Sequence, residues 1–298
     1  MIKRLPKLSE KGYRTMPKTS PFKTALLTLS AAALVAGAGA VPARAQDGDG
    51  ESERPAESGP DLNARVVLGG VWAPDYLGSD DHEFQPYPEA DVSYGEYYAK
   101  LRGSRLRLNV VDDPNWHAGP FIAWTPDRND VEDDRVERLP GIDPALEVGG
   151  FVEYEHSVKP ADPRYAERVR LMVRQDVTDA HGGWLASLRG TIQRPLFRPT
   201  IAALSAGVTY ASDDYMDTYF GVSPTGAAQS GLAAYEADGG VRDVNVSLAV
   251  NQFLSRTWSV GGRVTYMRLL GDAADSPVVE EAGSADQLIV MLGVGYRF

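Results

Sequence analysis

The sequence predicts an all-β fold: a transmembrane antiparallel β-barrel of about twelve strands, within a range of roughly 10 to 14, that follows a cleaved signal peptide. Three observations support this prediction. The first 45 residues carry the features of an export signal, the chain from residue 62 onward alternates apolar and polar residues, and the last strand ends on Phe298. A closed barrel pairs every backbone group within lipid, so a chain of alternating strands can span a membrane.

Residues 1–45 have the three parts of a signal peptide. A basic stretch comes first, residues 24–41 are apolar and rich in alanine, and Ala43-Arg44-Ala45 matches an A-x-A cleavage site. Met16 is a second candidate start, because residues 16–45 alone make a complete signal. The alternative is an uncleaved membrane anchor, but a spanning helix needs about 20 apolar residues and has no cleavage motif.

Removal of the signal peptide would make the net charge of the chain more negative, and this charge limits the partners that the chain can bind. Residues 1–45 hold eight of the 30 basic and one of the 41 acidic residues, which leaves a net charge of −18 on residues 46–298. Nucleic-acid binding is disfavoured by so negative a chain. The sequence has no cysteine, which excludes a lipoprotein anchor at the cleavage site, disulfides and thiolate metal sites. Residues 46–61 are polar and acidic and are predicted to form a disordered periplasmic lead-in.

The barrel is predicted over residues 62–298, where the dominant pattern has period two. For example, Val244, Val246 and Leu248 alternate with polar residues. No later segment approaches about 18 consecutive apolar residues, so no transmembrane helix is expected. The region 94–115 fits either two short strands or one longer strand. The predicted strands are 62–72, 83–94, 96–103, 104–111, 115–126, 144–156, 164–178, 183–193, 200–211, 240–252, 256–270 and 285–298.

Aromatic residues repeat at a spacing that fits a membrane. Trp116 and Trp124 lie eight positions apart with the same parity, and so do Trp258 and Tyr266. Eight residues of a tilted strand rise about 21 Å, close to the apolar band of about 25 Å between two aromatic girdles. With Trp72, these residues are predicted girdle residues. The alternative is chance, or packing in the core of a soluble sandwich.

The last strand closes the predicted wall. Its apolar residues Leu288, Val290, Leu292 and Val294 share one parity and project from one face. Tyr296 and Phe298 continue that face, and a terminal aromatic residue resembles the recognition signal of the bacterial barrel-assembly machinery. Tyr296 and Phe298 are therefore predicted to be an assembly signal.

Charged residues of the opposite parity are candidates for the lumen. Two readings are open: a charge-selective pore lining, or an internal ladder of ion pairs that plugs and stiffens the barrel. Rows of opposite sign on neighbouring strands favour the ladder, because they neutralise each other's field. The candidates are Glu147, Glu153 and Glu155 on one strand, Arg168, Arg170 and Arg174 on the next, and Arg263 and Arg297 further along.

The long connections 73–82, 126–143, 212–239 and 271–284 all fall on one side of the predicted barrel, as outward loops do. In the last of them, Gly271, Asp272, Asp275 and Ser276 form the sharpest motif. Its oxygen groups suit a cation or ligand loop, but the spacing matches no complete calcium loop, which favours a turn. The acidic clusters at 80–81, 132–134 and 213–217 fit solvated loop charge better than cations bridging lipopolysaccharide phosphates.

The sequence offers one incomplete candidate for a catalytic site. An acyl hydrolase or acyltransferase needs a serine and a histidine beside a carboxylate. Asp179, His181 and Ser187 are close in sequence, but Ser187 is predicted to lie within the wall and no Gly-flanked nucleophile is present. We therefore predict no catalytic residues, no cofactor and no metal site.

Several segments together resemble the MipA/OmpV family of outer-membrane proteins, also known as the MltA-interacting protein family. They cover nearly the whole chain after the signal peptide and are specific when taken together. The segments are PDYLGSD at 74–80, LPGID at 139–143 with EVGGF at 147–151, DAHGG at 179–183, YEADGG at 235–240, LLGDAADSPVV at 269–279 and YRF at 296–298.

The resemblance implies an outer-membrane barrel without known catalysis. One family member is described as a scaffold that joins a lytic transglycosylase, which cleaves murein, to a bifunctional penicillin-binding protein. The implied function is therefore a non-enzymatic envelope scaffold or adaptor linked to murein-remodelling enzymes. The alternatives are a channel for small polar solutes and, third, a lipid-modifying enzyme. Expected partners are outer-membrane lipid and lipopolysaccharide, the assembly machinery, and the two murein enzymes.

Overall fold

The computed structural model describes residues 62–298, and the predicted signal peptide and lead-in lie outside them. Within the described residues, twelve antiparallel strands follow one another around a closed barrel, and β12 pairs back onto β1. The strand number and closure confirm the predicted fold class. The strands are β1 (Leu62–Pro74), β2 (His82–Tyr94), β3 (Tyr97–Arg102), β4 (Arg105–Asn109), β5 (Trp116–Thr125), β6 (Ala145–Ser157), β7 (Ala166–Asp176), β8 (Trp184–Phe197), β9 (Thr200–Ala211), β10 (Gly240–Phe253), β11 (Trp258–Leu269) and β12 (Asp286–Arg297).

The period-two pattern forms a wall with an apolar outside and a polar inside. On β10, Val246 and Leu248 are half exposed on the outer face, whereas Asn245 and Ser247 are buried inside the barrel. Successive side chains point to opposite faces of a strand, so one parity meets lipid along its whole length. Closure leaves no unpaired strand edge, which an open sheet in lipid could not tolerate.

The region 94–115 folds as two short strands, which decides between the two sequence interpretations. β3 and β4 form a tight hairpin whose turn is Gly103-Ser104. Gly103 has a φ of 58°, and its amide donates to the carbonyl of Pro88 at 2.8 Å. The amide of Trp124 donates to the carbonyl of Ser104 at 3.0 Å, so the hairpin tip is joined to both neighbouring strands.

The two ends of the barrel differ. At one end, called the turn end, the connections are 95–96, 110–115, 158–165, 198–199 and 254–257. The other end, called the capped end, carries a folded cap made of residues 75–81, 126–144, 177–183, 212–239 and 270–285. The cap contains five helical segments: α1 (Asp134–Glu137), α2 (Asp213–Phe220), α3 (Pro224–Ser230), α4 (Asp272–Asp275) and α5 (Pro277–Glu280). None of the helices in the described residues is long and apolar enough to cross a membrane.

The cap packs on the inner side of the barrel mouth through an apolar cluster. Tyr215, Met216 and Phe220 of α2 contact Leu185 of β8 and other buried residues of the wall. α2 forms here because Asp213 and Asp214 lie in its first turn, where carboxylates interact favourably with the helix dipole. A second cluster joins the cap segments to one another and contains Tyr76, Val136, Leu139, Val222, Leu232, Val278 and Ala282.

The structure corrects two sequence predictions. Residues 271–277, predicted to form a simple turn, instead contain α4 and the first residue of α5. Strand β8 continues to Phe197 rather than ending near residue 193. The helices of the cap are too short to produce a long helical period in the sequence.

Candidate functional site

Ion pairs connect β6 to β7 along the inner wall. Glu153 accepts from Arg170 at 2.5 Å, and only 2% of the Glu153 side chain is exposed. On the turn-end side, Glu155 accepts from Arg168, with a Nε to Oε2 distance of 2.5 Å. In the register of β6 and β7, Glu153 is the direct cross-strand partner of Arg170, and Glu155 is that of Arg168. The carboxylates and guanidiniums therefore form a cross-strand ladder inside the barrel, the second of the two arrangements that the sequence allows.

The rung nearest the cap has additional partners. Glu147 accepts from Arg174 Nε at 2.9 Å and from the hydroxyl of Thr125 at 3.2 Å. Its other oxygen lies 3.5 Å from Nε2 of His181, which is buried. Nδ1 of His181 accepts from the amide of Gly183 at 3.1 Å, so the ring is fixed in the loop that leads into β8. Glu147 therefore ties three strands and a cap loop together.

A second buried ion pair, which the sequence analysis missed, lies under α2. A β-bulge between Val241 and Asp243 lets both Arg242 and Asp243 be buried at the start of β10. Arg242 donates to Asp243 Oδ2 at 2.6 Å and to the phenol oxygen of Tyr215 at 2.7 Å. The adjacent Arg-Asp pair at the start of a strand was the only sequence signal, because strict alternation would place one of them outside.

Cations and carboxylates also meet on the opposite wall. Arg102 donates to Asp91 at 2.6 Å and lies 3.6 Å from Glu89. Arg65 is 3.8 Å from Asp91, and Arg263 is 4.0 Å from Glu89. Two carboxylates are thus shared among three arginines on this side of the lumen.

The remaining predicted lumen residue, Arg297, lies at the turn end. Its guanidinium carbon is 5.9 Å from the ring centroid of Phe253, which has the same inward parity on β10. Arg297 is also the direct cross-strand partner of Arg65. All eight predicted lumen charges therefore lie on the inner face, although their role stays a prediction.

The predicted girdle residues lie on the outer face at two levels. Trp72, Trp116, Trp258 and Tyr266 are between 42% and 53% exposed. Trp116 packs against Tyr154 at 5.0 Å and Trp258 against Tyr296 at 4.9 Å, with distances between ring centroids. Trp124 lies at the capped end of β5, next to the β3–β4 hairpin. Their predicted role in lipid headgroup contact stays a prediction, as does that of Tyr296 and Phe298 in assembly.

The loop motif at 271–276 holds the cap backbone together. Asp272 accepts from the amide of Asp238 at 2.8 Å. Ser276 donates to the carbonyl of Phe220 at 2.5 Å and accepts from the amide of Val278 at 3.2 Å. Gly271 has a φ of 52°, and Asp275 is exposed. The oxygen groups therefore stabilise loop backbone rather than converge on one point.

Acidic residues line a cleft of about 730 Å³ on the cap. Asp213 accepts from the amide of Gly239 at 2.6 Å, so part of this charge serves to order loop backbone. In the part of the chain that the structure describes, no group of three or more His, Cys, Asp or Glu residues is arranged to hold a metal ion. The cleft is lined by Asp179, Ala180, His181, Gly182, Asp213, Asp214, Asp217, Thr218, Glu236, Ala237 and Asp238.

The candidate catalytic set does not come together in the described structure. His181 contacts Gly183 and Glu147, and neither Asp179 nor Ser187 is among the hydrogen-bond partners of its ring. Ser187 lies on β8 among the inward-facing residues of the wall.

Two buried tyrosines belong to the cap. Burial raises the pKa of Tyr76 above its usual value, and its hydroxyl donates to the carbonyl of Ala282 at 2.9 Å. Burial also raises the pKa of Tyr219, whose hydroxyl has no hydrogen-bond partner among the described residues. Both phenols therefore stay neutral in the folded cap well into the alkaline range.

The family model of the MltA-interacting protein MipA matches residues 66–298, which is almost the whole described barrel. This chain belongs to the MipA family. It is 36% identical over 93 residues to outer membrane protein Omp26La of Vibrio anguillarum, covering 31% of this chain and 34% of that protein. It is 31% identical over 107 residues to the MltA-interacting protein of Escherichia coli K12, covering 35% of this chain and 42% of that protein. The chain thus matches less than half the length of these relatives.

Solved outer-membrane barrels are also similar to this MipA-family chain. An outer membrane channel from Pseudomonas putida F1 has a TM-score of 0.43 at 10% identity, covering 83% of this chain and all of that one. The NanC porin has a TM-score of 0.39 at 8% identity, covering 79% of this chain and 99% of that one. Relatives that are named outer membrane proteins place the protein in the outer membrane.

Proposed function

We propose that this MipA-family barrel is a non-enzymatic scaffold that links the outer membrane to murein-remodelling enzymes. The observation that carries this proposal is the folded cap. α2 is buried in the capped mouth with Met216 and Phe220 at 1% and 0% exposure, so one mouth of the barrel is filled by packed side chains. A barrel whose mouth is filled with apolar core suits a structural role better than free solute passage.

The partner class comes from the family. A relative is named MltA-interacting protein, and this name supports contact with a lytic transglycosylase. A penicillin-binding protein is the second partner that the family resemblance suggests. We place the cap outside the cell and the turn end in the periplasm, where murein lies. The partner surface is then at the turn end.

The connection 158–165 offers a charged, internally hydrogen-bonded surface at the turn end. Arg164 donates to both oxygens of Asp162, each at 2.7 Å, and Lys159 Nζ lies 3.8 Å from the ring centroid of Tyr165. Hydrogen bonds from Arg164 lower the pKa of Asp162 to about 2, so this carboxylate stays charged at physiological pH. A charged, internally hydrogen-bonded turn at this end of the barrel fits a docking role.

Photo-crosslinking tests the scaffold and its orientation together. A photoreactive amino acid would replace Lys159 or Ala161 in the turn, and, as a matched control, Ala180 in the cap. We expect adducts with a transglycosylase or a penicillin-binding protein from the turn positions alone. If the turn positions give no such adduct while detergent extracts also fail to co-purify either enzyme, the scaffold proposal is wrong.

A channel for small polar solutes is the second candidate, and the charged lumen favours it. Arg105 is exposed to solvent although it has the inward parity of β4, so the inner face beside the β3–β4 hairpin is open to water. Planar-bilayer recordings separate the two functions. A steady conductance from the intact protein would support the channel, and its absence at high protein density would remove it.

A further inference from the structure

Like-charged residues lie directly opposite each other on the inner wall at four places. The direct cross-strand partners are Arg65 with Arg297, Lys100 with Arg107, Arg102 with Arg105, and Arg170 with Arg189. Cross-strand partners have Cβ atoms about 4.5 to 5.5 Å apart, and like charges at that distance destabilise a sheet. Four such pairs in one barrel need opposite charge to compensate them.

Carboxylates compensate some of these cations only in part. Glu153 is shared between Arg170, at 2.5 Å, and Arg107, at 3.9 Å. Asp91 and Glu89 pair with Arg102, but Asp91 also pairs with Arg65. Each of these carboxylates therefore already serves two cations and has little capacity for a third.

Arg105 and Arg189 have no carboxylate partner in the part of the chain that the structure describes. Arg189 Nη2 donates to the neutral amide oxygen of Asn245 at 2.9 Å. The charges of Arg170, Arg263 and Arg105 are close enough to oppose that of Arg189, whereas the nearby carboxylate that favours it, Asp243, is already paired with Arg242 at 2.6 Å. The four side chains extend from β4, β7, β8 and β11, so they surround the lumen. We name Arg105, Arg170, Arg189 and Arg263 the arginine belt.

Hydroxyl groups lie on the inner face beside the belt. Thr191 and Ser205 are 2.9 Å apart across β8 and β9, and Ser247 and Thr265 are 2.8 Å apart across β10 and β11. Thr191 lies two positions from Arg189 on β8, and Thr265 lies two positions from Arg263 on β11. Ser205 and Ser247 lie on β9 and β10, the two strands between β8 and β11. These hydroxyl groups, beside arginines that have no carboxylate partner, complete a surface that can donate hydrogen bonds to anionic oxygen atoms.

We propose that the arginine belt binds an anion inside the barrel. The chemistry points to a small compound with at least two negatively charged oxygen groups, either a phosphate or a dicarboxylate. Guanidinium groups bind planar and tetrahedral oxyanions through paired hydrogen bonds, and two uncompensated arginines match a double charge. The anion enters from the turn end, because the cap fills the other mouth. This inference is independent of the scaffold role.

Calorimetric titration of the full-length protein, folded in detergent at low salt, tests the belt. Inorganic phosphate and succinate are the two probes, because they separate the two oxyanion sources. The test variant is R105Q/R189Q. The control is R198Q/R256Q, which removes the same two charges from exposed connections at the turn end. Slower migration of boiled than unboiled protein in a denaturing gel confirms that each variant is folded.

We expect the wild type to bind at least one probe and R105Q/R189Q to bind it at least about tenfold more weakly, as expected for loss of charge-assisted hydrogen bonds. The control should stay within about twofold. The midpoint of thermal unfolding gives a second readout: the probe should raise it for the wild type and the control, but not for R105Q/R189Q. Binding of only one probe identifies the anion class. No binding and no thermal shift in the wild type, or an equal loss in the control, would overturn the proposal.

Discussion

Arg242 in the wall donates a hydrogen bond of 2.7 Å to the phenol oxygen of Tyr215 in the cap. The same guanidinium is held by Asp243, and only 7% of Arg242 is exposed. The aromatic ring of Tyr215 also lies 5.3 Å from the guanidinium carbon and packs edge-on against His181. One phenol thus connects α2 to β10 and to the loop before β8.

The first prediction concerns this phenol. Tyr215→Phe removes the oxygen and leaves a buried guanidinium donor unpaired, which costs about 1 to 3 kcal/mol. We expect the backbone amides of 213–220 to exchange with deuterium roughly tenfold faster or more, because α2 opens more often. Mass spectrometry of peptides from this segment measures the rate. Tyr210→Phe, on the lipid face of β9, is the control, and equal acceleration there would contradict the assigned contact.

The second prediction concerns the rung beneath the cap. Glu147→Gln leaves Arg174, whose side chain is 15% exposed, without its ion-pair partner, and such a change typically costs about 3 to 5 kcal/mol. We expect a clear fall in the denaturant concentration at the unfolding midpoint. The control is Glu167→Gln, whose ion pair with Arg194 lies on the outer face of β7 and β8, with the two side chains 44% and 33% exposed. Exposed pairs contribute about 0 to 1 kcal/mol, so similar losses for both variants would argue against a buried ladder.

The sequence predicts the ladder because each of its ion pairs joins two strands that follow each other directly in the chain. Glu153 and Arg170 have the inward parity of their own strands, and a short connection brings those strands together. The opposition of Arg170 and Arg189 is harder to foresee, because it depends on the register of β7 and β8, and a slip of one residue would separate them. The sequence therefore reveals which residues face inward, but not which of them become neighbours.

The third prediction tests how closely the cap loops approach. A Cβ on Gly283 would collide with the carbonyl oxygen of Gly78. Gly283→Ala should push 277–283 away from 75–81 and break the contact of Arg135 with the carbonyl of Glu281. We expect trypsin to cleave after Arg135 at least several-fold faster. Gly190→Ala is the control, since nothing lies within 4 Å of its added carbon. Unchanged cleavage in Gly283→Ala would contradict this packing.

The fourth prediction is a pH dependence of the cap. The pKa of Tyr219 in the folded cap is raised above the value of about 10 that a tyrosine has in an unfolded chain. The neutral phenol therefore stabilises the cap fully below about pH 10, and this stability is lost as the pH rises above it. Deuterium exchange of 213–220 in the wild type should accelerate above about pH 10 beyond its ordinary base-catalysed increase. Tyr219→Phe cannot ionise and should show a smaller acceleration.

The sequence does not reveal the cap, for two physical reasons. Its helices are short, so most of their stability comes from packing on the barrel rather than from a long periodic pattern. Its contacts also join distant segments, as when the hydroxyl of Tyr76 donates to the carbonyl of Ala282. The spacing of Tyr215, Met216, Tyr219 and Phe220 does fit one face of a helix, and it was the available signal.

The fifth prediction separates assembly from stability at Phe298. Its side chain is 73% exposed, its ring touches Tyr296 at 5.0 Å, and its amide donates to the carbonyl of Ala64 at 3.1 Å. Phe298→Ala keeps the backbone bond and removes an exposed ring, so the denaturant midpoint of protein folded in detergent should change little. If Phe298 is an assembly signal, the amount of folded barrel in the outer membrane of cells should nevertheless fall several-fold.

A second variant on the same strand makes that comparison sharp. Leu292 is 66% exposed on the outer face of β12, so Leu292→Ala removes a similarly exposed apolar side chain away from the terminus. We expect Leu292→Ala to reach the outer membrane at the wild-type level, as measured by the heat-dependent gel mobility of membrane fractions. A loss for Phe298→Ala alone identifies recognition by the assembly machinery, because apolar area is removed in both variants. Equal levels of all three proteins would show that the closing strand is recognised through other residues.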